Sequence, residues 1–352
     1  VKAGIVGAGI MGNLLACKLF QAGWQVDIFD PAHEKNCSRA AAGLLTPVAE
    51  LAQSEEIIFQ MGMEALSIHW PALLQQLPEA VDFQQQGSLL IAHPRDQTEL
   101  TQFVRKIAAK LENTGHCKKV DQAEIIALEP ALEKFQQGYY FPDEGCLDNQ
   151  TLLPVLARYL EDKITWHTGQ HVDQLGPGKI CLGEKTHHFD LVLDCRGLGA
   201  KSSFPEVRGV RGELVWLHAP EVQITRPVRI LHPRYSLYIS PRANQTYLVG
   251  ASEIESEAQD AISVRSMLEL LTAVFYVHPG FAEARIIDTV THCRPTLPDH
   301  LPCIQYGPGF VAVNGLYRHG FLVAPTLAAD IALWVQGGIA SVRYPTLWEA
   351  YI

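Results

Sequence analysis

The sequence is short of charge, and shortest of positive charge. Charged residues fill 19% of its 352 positions, below the roughly 25% usual in soluble domains. Lys and Arg number 28 against 38 Asp and Glu, a net charge of −10. Nucleic-acid binding draws much of its strength from neutralised phosphates, so this cation deficit argues against such a partner. The eight cysteines, at 17, 37, 117, 146, 181, 195, 293 and 303, include no CxxC pair. Most lie in apolar stretches, which predicts reduced thiols in a cytoplasmic protein. No uninterrupted apolar run reaches 18 residues, so no membrane span is expected. The apolar start, Ala3 to Gly23, is broken by Asn13 and Lys18 and punctuated by glycines. It reads as strand, turn and helix rather than a signal peptide. Metal-ligand spacing is missing as well: His187 and His188 are adjacent on an expected turn and point apart. Glu253, Glu255 and Glu257 read as a solvated loop, and there is no internal repeat or low-complexity segment.

What is present is a chain long enough for two domains and, at 47% hydrophobic, rich enough for a well-filled core. Lys2 to Val6 reads as a buried strand, Ile10 to about Ala22 as a helix, and Trp24 to Asp30 as a second strand. Helical patterns follow at Glu55–Gln76, Pro94–Asn113, Thr151–Lys163 (capped by Asn149), Val264–Val277 and Ala324–Val335. Strands are expected near Gly87–Ala92, Asp190–Asp194, Glu213–Leu217, Val228–Leu231, Leu237–Ser240, Tyr247–Val249, Ala284–Val290 and Phe310–Val313. Nucleotide-fold signals stand at the start, near 190–200 and at the end, with a strand-rich middle.

Between the first strand and helix lies Gly7-Ala8-Gly9-Ile10-Met11-Gly12. In this arrangement the first glycine makes a tight turn, the second lets backbone approach a pyrophosphate, and the third lets the helix pack on the strand. The helix N-terminus then presents N–H groups and a positive dipole end to phosphates. Asp30, 18 residues beyond Gly12, stands where a carboxylate accepts from ribose hydroxyls. An acid there disfavours a 2′-phosphate, and the fingerprint alone leaves FAD and NAD open.

Further landmarks follow in order: Ser38-Arg39-Ala40-Ala41-Ala42-Gly43, Tyr238-x-x-Pro241-Arg242, Arg294-Pro295 with Asp299, and Gly315-x-x-Arg318-x-Gly320-x-x-x-Ala324-Pro325. With the glycine turn they make the chain resemble the D-amino-acid oxidase superfamily of flavoproteins, most closely the glycine oxidase branch associated with thiamine biosynthesis. The landmarks span almost the whole chain. It departs from the family pattern at Thr326-Leu327-Ala328 after Ala-Pro and at Asp194-Cys195-Arg196-Gly197.

The resemblance implies a mixed α/β and α+β fold, a Rossmann-like FAD-binding domain interleaved with a mixed-sheet substrate domain. The expected division is 1–80, 150–205 and 290–352 for FAD, and 81–149 and 206–289 for substrate. It places Gly7, Gly9, Ile10, Met11 and Gly12 at the pyrophosphate, Asp30 with the adjoining Pro31 at the adenosine ribose, and Val172, on a strand-like stretch, at the adenine side. Ser38, Ala42, Gly43 and Leu44 line the centre of the cofactor. Leu316, Tyr317, Arg318, His319, Gly320, Phe321 and Leu322 wrap the flavin.

Arg294 then pairs with a substrate carboxylate, a task suited to a planar guanidinium fork, and Tyr238 adds its hydroxyl. Arg318 and His319 stand at the flavin edge. The implied reaction is hydride transfer from Cα of glycine, sarcosine or a small D-amino acid to flavin N5, then imine hydrolysis and reoxidation by oxygen or another acceptor. Two alternatives stay open: a same-fold dehydrogenase using a quinone or protein acceptor, and a flavoprotein accessory or maturation factor. A homo-oligomer is left open, and Cys293 is read as a free thiol rather than a flavin attachment point.

Overall fold

The computed structural model describes residues 1–31, 36–232 and 235–351. The opening folds as the pattern predicts, with strand Lys2–Val6, helix Ile10–Gln21 and strand Gln25–Asp30. Lys2–Val6 lies between Gln25–Asp30 and Leu191–Asp194, all parallel, and Phe310–Asn314 continues the parallel run. Thr165–Thr168 closes one side. On the other side Cys303–Gly307 pairs antiparallel and carries Trp348–Ala350, giving seven strands.

Parallel strands are buried on both faces and so need cover on both. Ile5, Leu193, Val311 and Val313 face a core shared with helices Ile10–Gln21, Glu56–Glu64, Asn149–Leu160 and Gly320–Gly337. Val6, Val192, Phe310 and Ala312 face a smaller cluster containing Phe29, Val172, Ile180 and Phe204. Gly320–Gly337 is long and apolar enough to cross a membrane, with a mean hydropathy of 1.3. Its apolarity is used inside the molecule, where residues such as Phe321, Leu327 and Ile331 sit in the main core. Pro325 removes the N–H that Phe321 would otherwise receive four residues on. The Trp70 indole donates to that Phe321 carbonyl at 3.1 Å instead.

A nine-stranded mixed sheet takes the middle of the chain. Its order is Ile254–Glu255, Arg208–His218, Thr246–Gly250, Tyr235–Arg242, Val228–His232, Ser88–Ala92, Gln137–Phe141 and Lys118–Asp121, with Arg285–Thr296 pairing along Arg208–His218. Side chains alternate across it. Leu89, Val215, Val228, Ile230, Ile239 and Val249 pack beneath helix Val264–Val277. The opposite face carries Leu90, Arg229, Tyr238, Gly250 and Leu214 in one cross-strand row. That second face turns toward the glycine turn of the seven-stranded sheet.

Several local expectations change. The helix expected at Thr151–Lys163 runs Asn149–Leu160 and is capped by Asp148, which accepts from the Gln150 N–H at 2.9 Å. Asn149 instead donates to the Ser38 and Arg39 carbonyls, at 2.9 Å each. The last helix starts at Gly320, four residues before its expected start, and Arg208–His218 and Arg285–Thr296 are longer than their apolar stretches. A division placed at residue 290 falls inside the continuous strand Arg285–Thr296. Val172 lies on an irregular segment between strands Thr165–Thr168 and Gln174–Gly176, held by burial rather than by a ladder. His187 and His188 lie on strand Lys185–His188, and among the described residues no cluster suits a metal ion.

Candidate functional site: a long cavity between the two sheets

One cavity of about 1600 Å³ runs from the end of the second strand, past the glycine turn, to the face of the nine-stranded sheet. It exceeds the roughly 300–1,000 Å³ of sites for drug-sized ligands, leaving room for a dinucleotide and a second small molecule. Every residue assigned above to cofactor or substrate except Gly12 lines it.

Gly12 acts from behind. A Cβ there would lie 1.9 Å from the Gly7 carbonyl oxygen, so only glycine lets the helix start so close to the turn. Gly7 has φ +101°, in the left-handed half of backbone space, and donates to the Phe29 carbonyl at 2.8 Å. Asp30 reaches back to accept from the Ala8 N–H at 2.7 Å, and the Ser38 hydroxyl accepts from the Ile10 N–H at 2.9 Å. The small-residue loop that follows is clamped: Asn149 holds its start, and Arg242 donates to the Ala42 carbonyl at 2.6 Å. This bare-backbone cradle with a helix N-terminus and a terminal acid fits a dinucleotide such as FAD.

At the other end, Arg294 and Tyr238 share the cavity face of the nine-stranded sheet. The Arg294 guanidinium lies over bare backbone at Gly212, where a Cβ would come within 2.4 Å of Nη2. It donates to the Ser252 carbonyl at 3.2 and 3.3 Å and to the Arg211 carbonyl at 3.5 Å. Among the described residues no carboxylate lies within ion-pair distance of it. Burial pushes the Tyr238 phenol up to about 12 against the opposing pull of Arg294 and Arg229, so it stays a hydrogen-bond donor at neutral pH.

Arg318 and His319 converge on a residue the sequence reading passed over. Glu50 is buried on the short helix Pro47–Glu50, and its two oxygens serve two arginines. Oε2 accepts from Arg318 Nε at 2.8 Å, and Oε1 accepts from Arg229 Nη2 at 3.1 Å. Burial alone would raise the Glu50 carboxyl, but Arg318 and Arg229 hold it down at about 2. His319 is 2% exposed, with Nδ1 3.5 Å from Glu50 and Nε2 3.2 Å from the Ser54 hydroxyl. Its burial outweighs Glu50 and lowers its pKa to about 4, so it is a neutral, packed histidine rather than a solvated loop residue.

Glu253, Glu255 and Glu257 do not form a free polar loop. Glu253 accepts from the Tyr317 hydroxyl at 2.6 Å and pairs with Arg318 at 3.4 Å. Glu255 pairs with Arg208, and Glu257 with Lys201. The Cys293 thiol points to the Ser256 and Ala258 carbonyls, at 3.5 and 3.6 Å. Arg229 and Glu50 were missed in the sequence, and Glu253 was read only as part of a solvated loop. The available signal was a lone charge inside an apolar run, as in Leu44–Ala52 and Val228–Leu231.

The pattern of the DAO family, FAD dependent oxidoreductases, matches residues 2–334. A protein of Rhizobium etli named as a thiamine biosynthesis oxidoreductase, ThiO, is 37% identical over 93% of this chain and 94% of its own. Among solved structures, iminodiacetate oxidase from Chelativorans sp. BNC1 superposes with a TM-score of 0.85 at 23% identity, over 99% of both chains. Glycine oxidase from Geobacillus kaustophilus does so at 0.83 and 20%, over 98% of this chain and 97% of its own. The match along almost the whole chain agrees with the glycine cradle, the acid at the strand end and the long cavity: this protein belongs to the DAO family of FAD dependent oxidoreductases.

Proposed function

We propose that this enzyme oxidises a small amino acid or amine, of the class of glycine, sarcosine or a small D-amino acid, at the carbon that carries its nitrogen. The observation that carries the reading is Arg294: a partly buried guanidinium on the cavity wall, held by carbonyls and without a carboxylate of its own among the described residues. Buried charges are kept in proteins when something pairs with them, and a carboxylate ligand is the natural partner. The relatives named for thiamine biosynthesis and glycine oxidation agree with it.

In this reading Arg294 binds the substrate carboxylate, and the protonated Tyr238 hydroxyl donates to the same group. Together they fix which face of the α-carbon looks across the cavity, a positioning effect rather than acid–base chemistry. Glu50 keeps Arg318 and Arg229 in place around the site, and the apolar helix start at Phe321 and Leu322 excludes water. FAD, when bound, would supply the two-electron acceptor for the hydride that leaves the α-carbon. The seven-stranded sheet serves as the cofactor-binding unit and the nine-stranded sheet as the substrate-binding one.

Replacing Arg294 by glutamine tests this directly. With one partner of a buried charged pair removed, kcat/KM for glycine or sarcosine falls by about a hundredfold or more, mostly through KM, with bound flavin retained. A KM unchanged in a flavin-loaded Arg294→Gln enzyme contradicts the assignment.

A further inference from the structure

Arg294 shares the cavity lining with other guanidiniums, and Arg229 is the one beside Tyr238. Arg229, Arg294 and Arg318 all line the cavity, and Glu50 is the one buried carboxylate that pairs with any of them among the described residues. Glu253 also reaches Arg318, but at 3.4 Å and with its side chain 54% exposed, so it stands at the solvent-screened mouth. Glu144, buried behind the same short helix, accepts from the Ala49 N–H and the Ser88 hydroxyl instead. Glu50 thus divides one carboxylate between Arg229 and Arg318, and Arg294 pairs with none among the described residues.

Of these guanidiniums, Arg229 keeps donors unused. Arg229 stands directly opposite Tyr238 on the neighbouring strand, on the same sheet face. Among the described residues it uses only Nη2, donating to Thr46 Oγ1 at 3.0 Å and Glu50 Oε1 at 3.1 Å. Nε and Nη1 donate no hydrogen bond among the described residues, and the side chain keeps 15% exposure on the cavity wall. Arg294, Arg229 and Tyr238 all line the same cavity.

Resting on the amine-oxidising reading above, we infer that Arg229 forms a second anion subsite and that the preferred substrate is an amine carrying two carboxylates. Arg294 takes the carboxylate on the carbon that is oxidised. Arg229, braced by Glu50, takes the one on the far substituent of nitrogen or on a short side chain. Glu50 orients the guanidinium without filling its remaining donors.

Sarcosine and iminodiacetate isolate the effect, because both are secondary amines built on glycine and the second adds one carboxylate. With the FAD-loaded native enzyme, kcat/KM for iminodiacetate exceeds that for sarcosine by about tenfold or more. In Arg229→Gln the ratio collapses toward one, and in Arg229→Lys part of it survives. Flavin absorbance in each variant reports that the site remains folded. A native enzyme that turns over sarcosine as well as or better than iminodiacetate overturns the second subsite, as does an Arg229→Gln enzyme with the native ratio. Failure of glycine, sarcosine and iminodiacetate alike to reduce the flavin would instead overturn the functional reading on which it rests.

Discussion

On the cavity wall, Glu50 divides its two oxygens between Arg229 and Arg318, with His319 Nδ1 3.5 Å from the same carboxylate. The neutral state of His319 has a consequence for stability. Its pKa is depressed from the ordinary 6.5 to about 4 by burial, so folding favours the uncharged ring. That contribution is fully present above pH 6.5 and is lost as pH falls through 6.5 toward 4. Glu50, held at about 2, gives up its own contribution only lower, between about 4.5 and 2. Denaturant unfolding of the holoenzyme at a series of pH values therefore shows stability dropping between pH 6.5 and 4, with a shallower drop in His319→Gln. An equal slope in the two proteins rules the histidine out as the cause. The cluster was half legible in the sequence. The C-terminal motif pointed to Arg318 and His319, but Glu50 lies 268 positions from Arg318 and 179 from Arg229. Local pattern shows an isolated acid in an apolar run and says nothing of which cations meet it.

Among elements, the glycine turn shows how tightly spacing can specify geometry. Residues 7, 9 and 12, the strand before them and the acid after the second strand were readable, because each answers a local steric demand. In Gly12→Ala the added methyl meets the Gly7 carbonyl, so the helix start must move away from the turn. FAD affinity is expected to weaken by about a hundredfold or more, read by fluorescence titration of the apoprotein. Near-native affinity in that variant contradicts the fit of the cradle. Other elements were legible only in outline. The helical pattern from Glu55 to Gln76 is realised as Glu56–Glu64, a wider turn over Ala65–His69, and Trp70–Leu74 around Pro71. Proline cannot donate to the preceding turn, and periodicity alone does not register that interruption. Short strands such as Lys118–Asp121 and Thr165–Thr168 were missed because their side chains are mostly half-exposed or exposed. Their ladders, more than their sequences, define them.

On the scale of the whole molecule, the two sheets draw strands alternately from the chain. The seven-stranded sheet uses residues 2–30, 165–168, 191–194, 303–314 and 348–350, and the nine-stranded sheet uses 88–141 and 208–296. The sequence showed nucleotide-fold signals at both ends and near 190–200, which is what such alternation leaves visible. It could not show that Arg294 belongs to the sheet opposite the glycine turn, since that follows from pairing between Arg208–His218 and Arg285–Thr296. Only this pairing lays Arg294 over Gly212 and faces it, with Tyr238, toward the ligand side of the other sheet. The proposed function requires that a carboxylate-bearing amine bound at Arg294 and Tyr238 delivers electrons to FAD. Anaerobic titration of the FAD-loaded native enzyme with glycine, sarcosine and iminodiacetate, followed by visible absorbance, tests it most directly. The oxidised-flavin bands are expected to disappear with at least one of these amines; an oxidised spectrum that persists through all three contradicts the proposed function.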